Sequence, residues 1–323
     1  MSIDHIKRLI GPDIEAMDEV IRIKLHSEVV LVRQVGEYII NSGGKRLRPT
    51  LVMLSSGALG YAGKYHHDLA AIIEFIHTAT LLHDDVVDES KLRRNKATAN
   101  ALFGNAASVL VGDFLYSRSF QMMVGVNNMK IMQVLADATN TIAEGEVLQL
   151  LNCRNPDVNE ENYLKVIRYK TAKLFEAATR LGAIISNASS DIEKSMAAYG
   201  MHLGTAFQLT DDMLDYSGNY HDIGKNLGDD LAEGKPTLPL IYAMKTGSKK
   251  QARIISEAIQ NGGNEGMLEA VLQVIHETDS LAYTRKKAEA ESCMAVEKIS
   301  LIPNSDYKDC LLKLATFAVE RNY

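Results

Sequence analysis

One acidic pattern, D-D-x-x-D, occurs twice in this chain and constrains its fold more than any other feature. It occupies Asp84, Asp85 and Asp88, and 127 residues later Asp211, Asp212 and Asp215. Each copy ends a largely apolar segment, and on a helix the first and last carboxylates share one face. Like charges placed in this way repel one another, more strongly when they are buried. The pattern therefore predicts two helical segments whose carboxylates are neutralised by a divalent cation.

The remaining sequence predicts an all-α fold. Only six prolines and 22 glycines interrupt 323 residues, and alternating β-branched stretches are nearly absent. Apolar residues recur at three- and four-residue steps, as between Ile14 and Leu25. No stretch resembles a linker, so we predict a single all-helical domain over residues 1–323. The predicted helices span 48–59, 67–90, 104–125, 128–152, 160–187, 189–217, 236–246, 249–260, 264–277, 278–300 and 305–321.

Composition excludes several classes of protein. A mildly acidic net charge of -6, spread along the chain, implies no basic face for nucleic acid. The three cysteines, Cys153, Cys293 and Cys310, lie far apart and do not form a C-x-x-C pair, which argues against a disulfide framework or a zinc site. There is no signal-peptide core and no apolar run of about 18 residues. We therefore expect a cytoplasmic protein without a transmembrane segment.

The segment Gly43-Gly44-Lys45-Arg46-Leu47-Arg48-Pro49 is a candidate anion site. Two glycines free the backbone, and three cations follow where Pro49 opens a predicted helix. The segment lacks the G-x-x-x-x-G-K-[ST] spacing of a phosphate-binding loop. A solvated basic turn is the alternative interpretation.

Further cations and one histidine surround the first acidic copy. Arg93 and Arg94 follow it closely, and either neutralise the aspartates or bind the anion that the metal also holds. His77 lies two helical turns before Asp84 on the same face, where a core histidine and a ligand are equally reasonable interpretations. His83 lies off that face, and we interpret it as structural.

The second half of the chain repeats this arrangement. Lys170 and Thr171 lie in a long predicted helix, and Gln208 lies three residues before Asp211 on one helical face. A glycine-containing loop beyond Asp215 carries Lys225 and Lys235. We interpret that loop as a lid over a charged ligand, with an ordinary surface loop as the alternative. Mg²⁺ prefers carboxylates together with substrate phosphate oxygens, so two clusters of aspartates that hold Mg²⁺ suit a diphosphate substrate.

Taken together, these motifs resemble the trans-isoprenyl diphosphate synthases. The two D-D-x-x-D copies, GGKRLRP and GK…GDD…EGKPTLP carry the resemblance, which extends from about Ile6 to Arg321. The strings EFIHTATLLHDDVVDES, GNAASVLVGDFLY, AEGEVLQL and GTAFQLTDDMLDY are most similar to bacterial members with an octaprenyl product used in quinone biosynthesis. The resemblance implies an all-α bundle of about a dozen helices around a deep central cavity, usually a homodimer.

The resemblance also implies a role for each motif residue. Residues expected to hold about two or three Mg²⁺ ions are Asp84, Asp85, Asp88, Asp211, Asp212 and Asp215. Those expected to bind the diphosphate of isopentenyl diphosphate are Lys45, Arg48, His77 and Arg94. Those expected to contact the allylic substrate, farnesyl diphosphate, are Arg93, Lys170, Thr171, Gln208, Lys225 and Lys235. Contact with the membrane is one route by which an apolar product could leave.

Product length is expected to depend on side-chain size below the first motif. In this family a bulky residue four or five positions before the first aspartate stops elongation early. Thr80 and Ala79 occupy these positions and are small, so a growing chain can pass them. We expect the floor of the cavity at Met123, with Tyr116 and Phe120 as alternatives.

Several other functions are compatible with parts of the pattern. Another long-chain synthase, or one that makes geranylgeranyl or farnesyl diphosphate, would share the motifs, although Ala79 argues against farnesyl. A metal phosphohydrolase of the HD type is suggested by His83-Asp84, but the second acidic copy lacks the additional histidines. A non-catalytic helical subunit would have no need of six paired aspartates. The small-residue segment 97–111 fits tight internal packing or a dimer interface equally well.

Overall fold

Helices dominate the computed structural model, which describes residues 3–41, 43–44, 46–93, 96–217, 227–263 and 266–321. The helices of the first half are α1 Ile3–Leu9, α2 Gly11–Leu25, α3 Val30–Asn41, α4 Leu47–Ala58, α5 Tyr65–Val87, α6 Ala99–Phe103, α7 Asn105–Val126 and α8 Met129–Asn152. The later helices are α9 Glu160–Ile167, α10 Lys173–Ile185, α11 Ser190–Ser217, α12 Asp229–Ala232, α13 Leu238–Thr246, α14 Lys249–Asn261, α15 Met267–Glu277, α16 Ser280–Lys298 and α17 Asp306–Glu320. The all-α prediction is confirmed.

The chain forms two compact units. The first contains Met1–Thr139, Leu174–Gly200 and Lys298–Lys313, and the second contains Asn140–Lys173, Met201–Glu297 and Leu314–Tyr323. A single domain over residues 1–323 stays a prediction.

Helix α5 is the centre of the first unit. It packs most extensively against α7, α4 and α2. Leu69, Ile72 and Ile76 on α5 are completely buried, and burying a side chain of this size contributes about 1.5–3 kcal/mol. The acidic motif at the C-terminal end of α5 is therefore carried by a helix that is fixed along most of its length.

The second unit has two apolar clusters. One joins α13, α14 and α15 through residues such as Leu240, Ile255 and Val271. The other joins α9, α11 and α13 through Tyr163 and Leu209, among others. The second acidic motif therefore lies on α11, and buried side chains close to the motif hold that helix in place.

Local sequence signals explain several helix ends. Pro12 lies in the first turn of α2, where its missing N–H costs nothing. Ser248 and Gln251 form a capping box at the start of α14, because each side chain bonds the backbone N–H of the other residue. Asn159 caps α9 by accepting from the N–H of Asn162.

The structure differs from the predicted helices in several places, and α1, α3, α6 and α12 lie outside the predicted ranges. The predicted helix over 160–187 is interrupted by a π-helical turn, Arg168–Ala172. The strands β1 Leu92–Arg93 and β2 Lys96–Ala97 form a short antiparallel hairpin that was not predicted. Neither element contains a proline or a strong turn signal, so the amino-acid composition does not predict them. Over the described residues, no helix combines the length and apolarity needed to cross a bilayer.

Candidate active site

The first acidic motif lies at the C-terminal end of α5. The backbone N–H of Asp88 donates to the carbonyl oxygen of Asp84 at 2.8 Å, so the helical spacing continues through the motif. Asp85 is completely buried, whereas Asp84 and Asp88 are half-buried. The predicted arrangement, with Asp84 and Asp88 one turn apart and Asp85 beside them, is what the backbone shows.

Within the described ranges, Asp85 is paired through one oxygen only. Nε and Nη2 of Arg93, on β1, both donate to Oδ1 of Asp85, at 2.9 and 2.7 Å. Oδ2 is buried and has no hydrogen-bond partner among the described residues. Burial raises the pKa of Asp85 above its ordinary value, although the hydrogen bonds from Arg93 oppose the shift. A cation at Oδ2 would satisfy that oxygen and favour the ionised carboxylate.

Arg48 and His77 contact each other on neighbouring helices. Nη1 of Arg48, in the first turn of α4, donates to Nε2 of His77 on α5 at 3.1 Å. The guanidinium also lies 4.6 Å from the ring centroid of Phe175, a cation–π distance. Two predicted ligands of one diphosphate are thus brought together by α4 and α5, and the arginine is held flat against an aromatic ring.

The other predicted residues of this region have different outcomes. Lys45 and Arg94 lie outside the described residues. Arg46 has a left-handed backbone conformation, and its guanidinium pairs with Asp18 on α2. This cation of the glycine-rich segment is therefore committed to a protein carboxylate.

The candidate product-length residues lie on the paired helices α5 and α7. Ala79 is completely buried, and the hydroxyl of Thr80 donates to the carbonyl oxygen of His77 at 2.8 Å. Met123 on α7 is 1% exposed. Tyr116 and Phe120 pack edge to face on the same helix, with ring centroids 5.3 Å apart.

In the second unit, Asp212 is the most constrained carboxylate of its motif. Oδ2 accepts from the hydroxyl of Tyr163 on α9 at 2.5 Å, and Oδ1 accepts from Nε2 of Gln208 at 2.7 Å. Burial, followed by the nearby charge of Asp230, raises the pKa of Asp212 to about 7, although the two hydrogen bonds oppose this shift. Both oxygens are therefore fixed in position, and a nearby cation would favour their ionised form.

The other two aspartates of the second motif also have defined partners. Nη2 of Arg321, at the end of the chain, lies 2.7 Å from Oδ1 of Asp211. The same guanidinium stacks 3.7 Å from the ring centroid of Phe207. Oδ2 of Asp215 accepts from the backbone N–H of Asp230 at 3.3 Å. Asp211 is thus paired with a cation, and Asp212 and Asp215 each accept from neutral donors.

The π-helical turn carries two predicted substrate contacts. The hydroxyl of Thr171 donates to Oε1 of Gln208 at 2.9 Å, which extends the chain of hydrogen bonds from Asp212. Nζ of Lys170 lies 2.6 Å from a carboxylate oxygen of Glu146 on α8. Gly145 allows α8 to approach so closely, because a Cβ at this position would lie 2.6 Å from the backbone nitrogen of Lys170. Extra turns of π-helix are frequent at functional sites.

The predicted lid is described only in its later part. Lys225 lies outside the described residues. Lys235 pairs with Glu233, and its backbone N–H donates to the carbonyl oxygen of Asp230 at 2.8 Å. Whether this loop closes over a ligand stays a prediction.

Sequence reasoning missed three residues that hold the predicted ones. Tyr163, Arg321 and Glu146 contact Asp212, Asp211 and Lys170 from sequence separations of 49, 110 and 24 residues. No short motif links such positions. The weak signal available was that Tyr163 shares an apolar helical stripe with Val166 and Ile167.

The donor set fits a hard divalent cation. Both motifs offer carboxylate oxygens, the ligand type that Mg²⁺ and Ca²⁺ prefer. The buried, unpartnered Oδ2 of Asp85 and the raised pKa of Asp212 are each relieved by positive charge. These two observations come from separate units and support the same type of ligand.

Comparison with known proteins gives consistent matches along the chain. The sequence model of the family described as "Polyprenyl synthetase" matches residues 29–275. Octaprenyl diphosphate synthase of Haemophilus influenzae is 51% identical over 323 residues, which is 100% of this chain and 98% of the relative. That of Escherichia coli is 50% identical over 322 residues, covering 100% of both chains.

Solved structures agree with the sequence matches. The polyprenyl synthase of Caulobacter crescentus, crystallised with calcium and isoprenyl diphosphate, superimposes with a TM-score of 0.96 at 40% identity. The alignment covers 100% of this chain and 98% of that structure. The fold is thus shared with a protein that binds both a divalent cation and an isoprenoid diphosphate.

Proposed function

Because this chain belongs to the polyprenyl synthetase family, we propose that it is a prenyltransferase that makes all-trans-octaprenyl diphosphate. It condenses isopentenyl diphosphate head to tail onto farnesyl diphosphate, and the product supplies the side chain of a quinone. The observation that carries this proposal is identity of about one half, along the entire chain, to two octaprenyl diphosphate synthases.

The six motif aspartates are the proposed Mg²⁺ ligands. When bound, Mg²⁺ withdraws charge from the allylic diphosphate and makes it a better leaving group. The fit of Asp85 and Asp212 to a cation supports this assignment, as does the calcium in the Caulobacter structure. Arg93 is well placed to help, because its guanidinium already lies against Asp85 and can pair with a phosphate oxygen beside it.

Isopentenyl diphosphate is assigned to Arg48 on α4 and His77 on α5. Arg48 and His77 are already in contact, so little side-chain entropy is lost when they bind one anion together. Lys45 and Arg94 complete the proposed set. Bidentate contact with phosphate oxygens suits the arginines.

The allylic substrate is assigned to Arg93, Lys170, Thr171, Gln208, Lys225 and Lys235. Its C–O bond breaks, pyrophosphate leaves, the isopentenyl double bond attacks the allylic carbon, and the departing pyrophosphate takes the proton that is lost. The amide of Gln208 is fixed at both ends, by Asp212 and by Thr171. Its carbonyl oxygen keeps a second lone pair, so a preorganised dipole can stabilise positive charge on the reacting carbon.

Product length is assigned to Ala79, Thr80 and Met123. The small side chains at 79 and 80 leave room beside α5 for a growing chain, and the buried thioether of Met123 on the adjacent helix limits it. Methionine suits this task because its flexible side chain fills irregular space.

A homodimer is the proposed assembly, and the interface is assigned to α6 and α7. Leu102, Leu110 and Val124 are 53%, 66% and 60% exposed there, an unusual density of large apolar side chains for a free surface. Ser108 on the same helix instead donates to the carbonyl oxygen of Leu82, so the small-residue segment also serves internal packing. Replacing Leu110 by lysine should shift the mass measured by light scattering from dimer towards monomer. If Leu110→Lys remains a dimer, the interface does not include Leu110 and must be assigned to another surface.

The decisive experiment is an incubation with farnesyl diphosphate, radiolabelled isopentenyl diphosphate and Mg²⁺. The dephosphorylated products are then sized by chromatography, and a predominant octaprenol is expected. Asp137→Asn, which changes an exposed carboxylate on α8, serves as a matched control and should leave the products unchanged.

Other outcomes identify the alternatives. If a different alcohol predominates, the product length is not octaprenyl, but the proposed reaction type still holds. Release of free phosphate without incorporation of label overturns prenyl transfer in favour of a phosphohydrolase. Absence of both activities in folded, Mg²⁺-loaded protein points to a non-catalytic subunit.

A further inference from the structure

Three potential metal ligands meet in the first unit, at the end of α5 opposite the acidic motif. Asp13 lies in the first turn of α2, and His66 and His67 lie in the first turn of α5. Nε2 of His66 is 3.0 Å and Nε2 of His67 is 2.9 Å from the same oxygen, Oδ1 of Asp13. All three side chains are largely shielded from solvent, at 28%, 11% and 16% exposure for Asp13, His66 and His67.

The donor atoms have the spacing that a tetrahedral metal needs. Zinc binds imidazole nitrogen and carboxylate oxygen at roughly 2.0–2.2 Å, which places neighbouring ligand atoms about 3.3 Å apart. The two nitrogen–oxygen distances are within about 0.4 Å of this value. All three ligand atoms lie within 4.8 Å of one another. The two imidazole rings, whose centroids lie 3.9 Å apart, must separate as their Nε2 atoms turn towards a shared ion.

We propose that Asp13, His66 and His67 form a second metal site, for a borderline transition-metal ion such as Zn²⁺. Two imidazoles with one carboxylate suit Zn²⁺, Co²⁺ or Ni²⁺, whereas Mg²⁺ prefers oxygen ligands alone. Without metal, the same atoms are joined by hydrogen bonds from the two imidazoles to Asp13. On metal binding each neutral imidazole carries its proton on Nδ1 instead of Nε2, so that both Nε2 atoms and Oδ1 of Asp13 become ligands, with water in the fourth position.

This site is separate from the acidic motif of the same helix. His67 and Asp84 are 17 residues apart on the continuous helix α5, a distance of about 26 Å along its axis. An ion at the site joins the N-terminal end of α2 to α5. We therefore assign it the role of a clamp that stabilises the docking of α2, with no part in the condensation.

The surroundings indicate moderate affinity. Nδ1 of His66 is buried and has no hydrogen-bond partner in the described ranges of the chain. Ligating histidines usually have such an outer partner, and losing it weakens binding about 10- to 100-fold. The site therefore needs to be tested at micromolar rather than picomolar metal concentrations.

Titration of the metal-stripped full-length protein with Zn²⁺, in excess Mg²⁺, tests the proposal. The excess Mg²⁺ occupies the acidic motifs, which also attract divalent ions. Calorimetry should then show one Zn²⁺ per chain, and Zn²⁺ should raise the melting temperature. Co²⁺ should give the visible absorption bands of a tetrahedral ion.

The variants Asp13→Asn and His67→Gln should each weaken Zn²⁺ binding at least tenfold. Glutamine at position 67 retains an N–H donor for Asp13 but is a poor zinc ligand. Removal of an exposed imidazole on α15, in His276→Gln, is the matched control and should bind Zn²⁺ like the parent protein. The melting temperature of each variant in a chelator gives its metal-free stability, so that only the increment due to Zn²⁺ is compared.

Two results would overturn the proposal. One is parental protein that takes up no Zn²⁺ when Mg²⁺ is in excess. The other is parental affinity in both Asp13→Asn and His67→Gln, which would assign the bound ion to other groups. Neither result affects the proposed prenyl transfer, because that activity is measured with Mg²⁺ alone.

Discussion

Replacing Gly145 by alanine should slow the reaction while leaving every proposed substrate contact in the sequence. Gly145 lies on α8 where that helix approaches the π-helical turn carrying Lys170 and Thr171. An added Cβ would lie 2.6 Å from the backbone nitrogen of Lys170 and 2.9 Å from Cβ of Tyr169. Neither atom is the flexible end of a side chain, so the two backbones must separate.

The size of the effect follows from these distances. Moving the nearest contact from 2.6 Å to an ordinary 3.4 Å displaces the turn by about 0.8 Å. A displacement of about 1 Å in groups that orient a substrate can reduce the rate about 100-fold. We therefore expect kcat to fall about 10- to 100-fold in Gly145→Ala. Alanine gains about 1 kcal/mol of helix propensity, but overpacking costs about 1–3 kcal/mol, so the free energy of unfolding falls by up to about 2 kcal/mol.

The assay is incorporation of labelled isopentenyl diphosphate at saturating farnesyl diphosphate and Mg²⁺, together with thermal unfolding. Gly125→Ala is the matched control, because Gly125 also lies in a helix and a Cβ there would meet nothing within 4 Å. The control should keep the parental kcat and gain up to about 1 kcal/mol of stability. A parental kcat in Gly145→Ala would refute the claim that close approach of α8 positions Lys170 and Thr171.

Three further predictions test other parts of the molecule. Asp84→Ala should reduce turnover by orders of magnitude with an unchanged circular dichroism spectrum, and a parental rate would refute its assignment as a metal ligand. Met123→Ala should give longer products by chromatography, whereas Met122→Ala, at the neighbouring buried position, should not. If both variants give products of the same length, Met123 does not form the floor of the cavity. Burial opposes ionisation of Glu291, but hydrogen bonds from His202 and Arg168 outweigh it and lower the pKa of Glu291. Its ionised form therefore stabilises the fold above the ordinary pKa of about 4.3, and this stability is lost as the pH falls through the lowered folded value. Glu291→Gln should lower the free energy of unfolding by about 1–3 kcal/mol at neutral pH. The difference in melting temperature between the variant and the parent should shrink below about pH 4. A difference that does not change with pH would refute the pairing.

Much of the fold was predictable because its signals are local. The helices follow from apolar periodicity, and the spacing of Asp84 and Asp88 on one face follows from helical geometry alone. The π-helical turn at Lys170 was not predictable in this way. It is accompanied by close contact with α8 at Gly145, and a glycine within a helical pattern does not reveal which backbone approaches it. The same limit applies to Tyr163 and Arg321, whose partners are far away in sequence.

Two of the missed residues, Tyr163 and Arg321, act on the acidic motifs and share a physical basis. A cluster of carboxylates is costly before any cation binds, because burial and like charges both disfavour ionisation. The protein offsets part of this cost with its own donors: Arg93 at Asp85, Tyr163 and Gln208 at Asp212, and Arg321 at Asp211. From the part of the chain that the structure describes, donors reach only one oxygen of Asp85, and the raised pKa of Asp212 indicates incomplete compensation there as well. If protein donors neutralised the carboxylates completely, little negative charge would be left to attract a cation. Without any donors, the carboxylates would be protonated or displaced. The donors around each motif therefore hold the carboxylates in place while leaving negative charge for the metal. Short sequence patterns record the carboxylates and the nearby Arg93 and Gln208, but not the distant Tyr163 and Arg321.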